Sequence, residues 1–224
     1  SRTLDGVDIR LWANAESRED VTGAHALGAA GVGLYRTEFL FLQRSELPSE
    51  DEQFRAYRDV ALAMTGRTVT IRTMDIGADK ADRTGLALGG EPNPALGVRG
   101  VRLSLARPPV FETQLRASLR ASGYGPVRIL VPMVSGREEM LAVAGMRRRV
   151  SRDLREEGHE VAEHVPLGAM IEVPAAAIAL TSFIDTVDFI SIGTNDLTQY
   201  LLAADRGNDA LGELYSPLHP GVLK

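Results

Sequence analysis

Two arginines in this sequence stand at the ends of apolar, β-branched runs, where a charged group is conspicuous. Arg36 closes Gly31-Val-Gly-Leu-Tyr, and Arg72 closes Thr68-Val-Thr-Ile, with Asp75 and Lys80 shortly after it. Arg99 and Arg102 follow a segment containing Gly and Pro. Carboxylates take up matching positions later in the chain. Glu172 follows Pro166-Leu-Gly-Ala-Met-Ile, and Asn195 and Asp196 follow Val187-Asp-Phe-Ile-Ser-Ile-Gly-Thr. Charge within an apolar strand is costly unless it meets a partner. One reading pairs Arg36 and Arg72 with Glu38, Asp75 or Glu172 as buried ion pairs. The other gathers planar guanidinium donors around a phosphate or carboxylate, a task they perform better than ammonium.

Glu172 and Asp196 also admit two chemistries. Paired carboxylates can act as general acid and base, although a glycosidase has no use for the surrounding arginines. Alternatively they can hold Mg²⁺, which takes one or two protein carboxylates and fills its other positions with substrate oxygens and water. A metal-bridged, phosphorylated carboxylate satisfies both sets of charge. The histidines (His25, His159, His164, His219) have no ligand-like spacing, and Arg147-Arg148-Arg149 reads as a solvated helix face. Gly31-Val-Gly33 lacks the third glycine of a dinucleotide fingerprint.

The elements that position these groups alternate between strand and helix. Strands are expected over Val7–Ala15, Gly31–Glu38, Thr68–Gly77, Val127–Val134, Pro166–Val173 and Val187–Ile192, the last of them buried. A helix over Ser17–Ala30 follows the first strand. Ser49 with Glu52, and Ser135 with Glu138, have the spacing of capping boxes. The helix after Ser49 carries a stripe of Phe54, Tyr57, Val60, Leu62 and Met64, and the one after Ser135 carries Met140, Val143, Val150 and Leu154. Pro108-Pro109 opens a helix to Ala121, and Pro174 opens another. The segment Ala78–Pro94 is too long for a passive connection and is expected to be a loop covering the site or disordered. Such alternation implies parallel βα units. Six units whose strands end in polar residues lean toward an α/β fold of the (β/α)8 TIM-barrel kind, incomplete here, with its site on the C-terminal rim.

Composition sets the outer bounds. With 44% hydrophobic and 25% charged residues over 224 positions, the chain is ordinary globular protein able to bury a core. A net charge of -5 disfavours general nucleic-acid binding. No run reaches the length of a membrane span, and no signal peptide is recognisable. There is no cysteine, so neither disulfides nor thiolate chemistry arise within the chain. A cytoplasmic enzyme, or part of one, fits these bounds.

Five stretches together resemble a known family. They are Gly31-Val-Gly-Leu-Tyr-Arg-Thr-Glu-Phe-Leu-Phe41, Ile71-Arg-Thr-Met-Asp-Ile-Gly-Ala-Asp-Lys80, Asn93-Pro-Ala-Leu-Gly-Val-Arg99, Met170-Ile-Glu-Val-Pro-Ala-Ala-Ala177 and Ser191-Ile-Gly-Thr-Asn-Asp-Leu-Thr-Gln-Tyr200. In collinear order, over essentially the whole chain, they resemble the Enzyme I family of bacterial sugar phosphotransferase systems, the phosphoenolpyruvate–protein phosphotransferases. Pyruvate phosphate dikinase and phosphoenolpyruvate synthase share the arginines and acidic pair over shorter stretches.

The resemblance implies that residues 1–224 are a phosphoenolpyruvate-binding (β/α)8 barrel domain, dimerising in the intact protein. It implies that Arg36, Arg72, Lys80, Arg99 and Arg206 bind the phosphate and carboxylate of phosphoenolpyruvate, with Asn195 and Asp196 beside them, and that Glu172 and Asp196 hold Mg²⁺. The family's nucleophilic histidine lies on a separate N-terminal domain, which passes the phosphoryl group to a phosphocarrier protein. A cysteine on the seventh strand protonates the enolate. Both are expected to lie outside this chain, along with the last two βα units, so the chain alone is expected not to complete phosphotransfer. A dikinase or synthase activity, and a module that only binds ligand or dimerises, are the alternatives.

Overall fold

The structure is a computed structural model that describes residues 2–42, 44–77, 86 and 90–224. Its frame is a single parallel sheet of six strands in the order of the sequence: β1 (Ala13–Ala15), β2 (Val32–Tyr35), β3 (Val69–Arg72), β4 (Val127–Val131), β5 (Leu167–Ile171) and β6 (Phe189–Ile192). Each neighbouring pair is joined through helix: α1 (Arg18–Ala26), α2 (Glu50–Ala63), α3 (Val101–Ala106) with α4 (Pro108–Ala121), α5 (Arg137–Glu156) and α6 (Pro174–Ile178). After β6 come α7 (Thr194–Leu202) and the short α8 (Pro220–Leu223). The α/β class and the six-unit incomplete barrel expected from the sequence are what the chain forms.

The sheet curls. Arg128 on β4 lies 4.7 Å from the ring of Trp12, just before β1, and 4.3 Å from that of Phe189 on β6. In a flat sheet β1 and β4 would stand roughly 14 Å apart at the usual strand spacing. Both ends of the arc therefore bend toward one interior, with Arg128 Nε donating to Thr70 Oγ1 at 2.6 Å. Space for these large groups comes from glycine. A Cβ on Gly168 would lie 2.5 Å from the Phe189 ring, and one on Gly31 would lie 2.4 Å from Trp12 and 2.6 Å from the carbonyl oxygen of Thr68. A backbone carbonyl in a paired strand cannot step aside. Gly31→Ala is accordingly expected to destabilise the fold by about 1–3 kcal/mol, read as a lower urea midpoint at unchanged slope.

Helices cover the outer face. Tyr57, Val60 and Ala61 of α2, with Met64 at its C-cap, pack with Val32, Val69, Ile71, Ala117 and Ala121 in one cluster. Phe111, Leu115, Met140, Val143, Val150 and Leu154 pack with Ile129, Val131, Leu167 and Ala169 in a second. Leu62, expected on the α2 stripe, is 53% exposed: five residues after Tyr57 and two after Val60, it points to a different side of the helix, and Ala61, four after Tyr57, takes the buried place.

Other boundaries shift for local reasons. The strand expected over Val7–Ala15 shrinks to β1, because only those residues find a partner in β2, and the segment before it turns back at Gly6 (φ +91°). The helix expected to Ala30 stops at Ala26, where Gly28 adopts φ +81° beyond the C-cap. The Ser49–Glu52 capping box forms. The second box is displaced by one residue: Glu139, not Glu138, turns back to accept from the backbone of Ser135 (2.6 Å) and Gly136 (3.3 Å). Strand β6 is not buried, since it forms an edge of the sheet and Ile192 is 61% exposed. Most of the 78–94 loop lies outside the described residues. Among the described residues no helix is long and apolar enough to cross a membrane.

Candidate functional site at the carboxyl rim

The C-terminal ends of the strands open into a cavity of about 550 Å³ lined by residues following β1, β2, β3, β5 and β6. Its deepest cation is Arg72. Just beyond β3, Thr73 N still donates to the carbonyl of Leu130 on β4 at 2.9 Å, and after it side chains take over in pinning the backbone. Met74 N donates to Gln114 Oε1 (2.9 Å) and Asp75 N to Glu38 Oε1 (2.8 Å). Gln114 Nε2 in turn donates to Thr37 Oγ1 and Tyr57 OH, each at 3.1 Å, and Thr37 Oγ1 donates to the carbonyl of Arg72 at 2.9 Å. This buried network makes the Arg72–Asp75 segment a fixed platform.

On that platform the charges interlock. Arg72 pairs with Glu38 (3.1 Å) and Asp75 (3.5 Å). Arg99 grips Asp75 with two donors, Nη2 at 2.7 Å and Nε at 3.1 Å, and reaches Asp196 at 3.4 Å and the Tyr200 hydroxyl at 3.2 Å. Arg206 approaches the other oxygen of Asp196 at 3.5 Å. Burial works to lower the pKa of Arg72 and Arg99, but the carboxylates around them outweigh it, and both are raised. Arg72 Nε is buried and, among the described residues, has no hydrogen-bond partner.

Glu172 is 1% exposed and has one backbone donor, Met133 N, at 2.7 Å. Met133 holds φ +59°, a left-handed conformation that costs energy for a side chain of this kind, and it aims its N–H at the carboxylate. Gly193 is required opposite: a Cβ there would lie 2.6 Å from Glu172 Oε2. Burial, then the nearby Asp75 charge, pushes the Glu172 carboxyl up to about 7, against the pull of Met133 N.

The sequence-nominated residues therefore fare differently. Arg72, Arg99, Glu172, Asn195, Asp196 and Arg206 all line the cavity. Arg36 also lines it, but it is not buried in its strand: it sits at the rim, half exposed, with Nη1 2.6 Å from Glu16 Oε1. Buried ion pairing thus holds for Arg72, whereas Arg36 meets a different acid at the solvent-exposed rim. Lys80 lies outside the described residues. Arg102 turns away to the carbonyls of Leu96 and Gly97. Glu16, Trp12 and Tyr200 were not singled out from the sequence. Tyr200 had a signal, standing four residues after Asp196 and hence on the same face of α7.

A parallel βα arc with arginines and carboxylates converging on its carboxyl rim is a barrel-type site for an anionic ligand. Sequence comparison names the class. The family model described as "PEP-utilising enzyme, PEP-binding domain" matches residues 1–224, and the chain belongs to that family. It is 53% identical over 224 residues to a phosphoenolpyruvate-protein phosphotransferase of Cupriavidus necator, covering 99% of this chain and 38% of that protein. Proteins of the same name from Haemophilus influenzae and Geobacillus stearothermophilus are each 48% identical, over 221 and 222 residues, again covering 99% of this chain and 38% of the relative. The chain thus spans well under half the length of these relatives.

Proposed function

We propose that this chain is the phosphoenolpyruvate-binding part of a phosphoenolpyruvate–protein phosphotransferase. The carrying observation is the meeting, around one cavity, of Arg36, Arg72, Arg99 and Arg206 with Glu172 and Asp196, delivered by four separate strand ends. The guanidinium groups bind the phosphate and carboxylate of phosphoenolpyruvate, displacing the carboxylates that occupy them in its absence, and Asn195 adds a hydrogen bond. Lys80 joins them by its place in the shared motif.

The donor set fits Mg²⁺. Glu172 and Asp196 are oxygen ligands of the kind this ion selects, and among the described residues no group of three or more acidic or histidine side chains could hold a metal alone. Two protein carboxylates leave positions for substrate oxygens. Burial, and after it the charge of Asp75, raises the Glu172 pKa, and a cation bound beside the carboxylate would oppose both. When bound, Mg²⁺ supplies charge neutralisation to the phosphoryl oxygens. The chain's own residues orient the ester for in-line attack, exclude water from its buried side and stabilise charge as it moves toward the enolate.

The phosphoryl acceptor in this reading is a histidine on another domain, from which the group passes to a phosphocarrier protein serving sugar uptake. The enolate's proton comes from elsewhere too, because the chain has no cysteine. The intact protein acts as a cytoplasmic homodimer. The chain by itself binds phosphoenolpyruvate and does not turn it over.

Trp12, the only tryptophan, lines the cavity and reports on it. Phosphoenolpyruvate added in the presence of Mg²⁺ is expected to change its fluorescence saturably, and chelation should abolish the change. No saturable change at millimolar ligand with Mg²⁺ would sink the proposal. The same measurement tests Glu16, which competes with the ligand for Arg36. Glu16→Gln is expected to tighten binding by about two- to fivefold, the scale of an exposed ion pair.

A further inference from the structure

The basic run on α5 is only partly the solvated face expected of it. Arg149 turns outward to Glu112 at 2.8 Å. Arg147 instead folds inward, donating to the backbone carbonyl of Val165, and Arg155 donates to the carbonyls of Ala162 (2.7 Å) and Glu163 (3.3 Å). Positions 147, 148, 151 and 155 recur at helical spacing and so share one face of α5. With Leu119 and Val165 they line a cavity of about 130 Å³. Val165 leads into β5, so this cavity lies at the amino-terminal end of the sheet, opposite the rim site.

Its charge is unbalanced. Among the described residues, none of Arg147, Arg148 and Arg155 has a carboxylate within ion-pair distance, while most other arginines packed between helices do. Backbone carbonyls hold two of the three in place without neutralising them. The nearby acids are otherwise engaged or turned to solvent. Asp188 gives one oxygen to Leu167 N at 2.8 Å and the other faces His164 at 3.4 Å. Glu163 borders the cavity but is exposed and makes no ion pair with these arginines. Burial lowers the pKa of Arg147, with Asp188 only partly opposing it. Three guanidinium groups, two of them held by backbone carbonyls and Arg148 exposed beside them, border one small cavity in a chain of net charge -5, an arrangement suited to a compact, highly charged anion.

We propose that this cavity is a second anion site, distinct from the rim, which takes a phosphate group, inorganic or at the end of a phosphomonoester. Arg147, Arg148 and Arg155 supply the charge, and the Ser151 hydroxyl lies among them as a further donor. Phosphate also competes for the rim arginines, so the test must resolve residues. Inorganic phosphate titrated into the ¹⁵N-labelled chain is expected to shift backbone and arginine side-chain signals of 147–155 and His164 along a saturating curve in the millimolar range. Arg148→Ala with Ser151→Ala, neither of which holds the backbone, should weaken that curve by at least about tenfold and leave the shifts around 193–196 unchanged. Shifts that fail to saturate on α5, or that saturate equally in the double variant, would overturn the assignment.

Discussion

Arg72→Ala is expected to abolish phosphoenolpyruvate binding and to cost roughly 3–5 kcal/mol of stability, the usual penalty for removing one partner of a buried ion pair. Both effects follow from one position. Arg72 is 12% exposed and faces Glu38 and Asp75, so its loss leaves Glu38 buried without its cation and Asp75 with Arg99 alone. A loss of binding in that variant alone could reflect an unfolded site. Arg72→Lys separates the two causes: it retains the charge, and with it most of the stability, but it lacks the planar fork. Its affinity for phosphoenolpyruvate is expected to fall about ten- to a hundredfold. A lysine variant that binds as tightly as the parent would show that Arg72 serves the fold and not the ligand.

Glu172→Gln is expected to move stability and binding in opposite directions. The carboxyl is held at about 7 in the folded chain against 4.5 ordinarily. Between those values the folded state keeps a proton that the unfolded state has released, so stability falls as pH rises through this window and levels above it. The total is roughly 3 kcal/mol at 1.36 kcal/mol per unit. Glutamine keeps the acceptor for Met133 N and has no charge to desolvate. The variant should therefore gain on the parent progressively from about pH 5 to pH 7, and hold a stability advantage at pH 8 in the absence of metal, measured by denaturant unfolding at each pH. Mg²⁺ with phosphoenolpyruvate should stabilise the parent and not the variant. A residue kept solely for packing would show no such inversion.

The parts of this fold that could be read from the sequence are those governed by local chemistry. Ser49 with Glu52 marks a helix start because both groups act within one turn, and Pro108-Pro109 opens α4 because proline fits the first turn. The candidate site was legible because apolar strands ended at or just before Arg72, Glu172 and Asp196, where charge needs a reason. Three-dimensional arrangement was not legible. That Arg36 meets Glu16 across the β1–β2 rim, or that Arg147 folds under β5 while Arg149 stays outside, depends on which helix face meets which strand end. Trp12 was invisible for the same reason. Its place beside the cavity is set by Gly31, just before β2, and Gly33 within it, whose missing side chains leave it room.

The most direct test of the central claim is the structure of the chain crystallised with phosphoenolpyruvate and Mn²⁺, a Mg²⁺ substitute visible by anomalous scattering. The expected result is one anomalous peak coordinated by Glu172 and Asp196, with phosphate oxygens on the same ion and the ligand's anionic groups on Arg72, Arg99 and Arg206. Ligand density in this cavity with the metal bound elsewhere, or metal at these carboxylates with the arginines still locked to Glu38, Asp75 and Asp196, would contradict it.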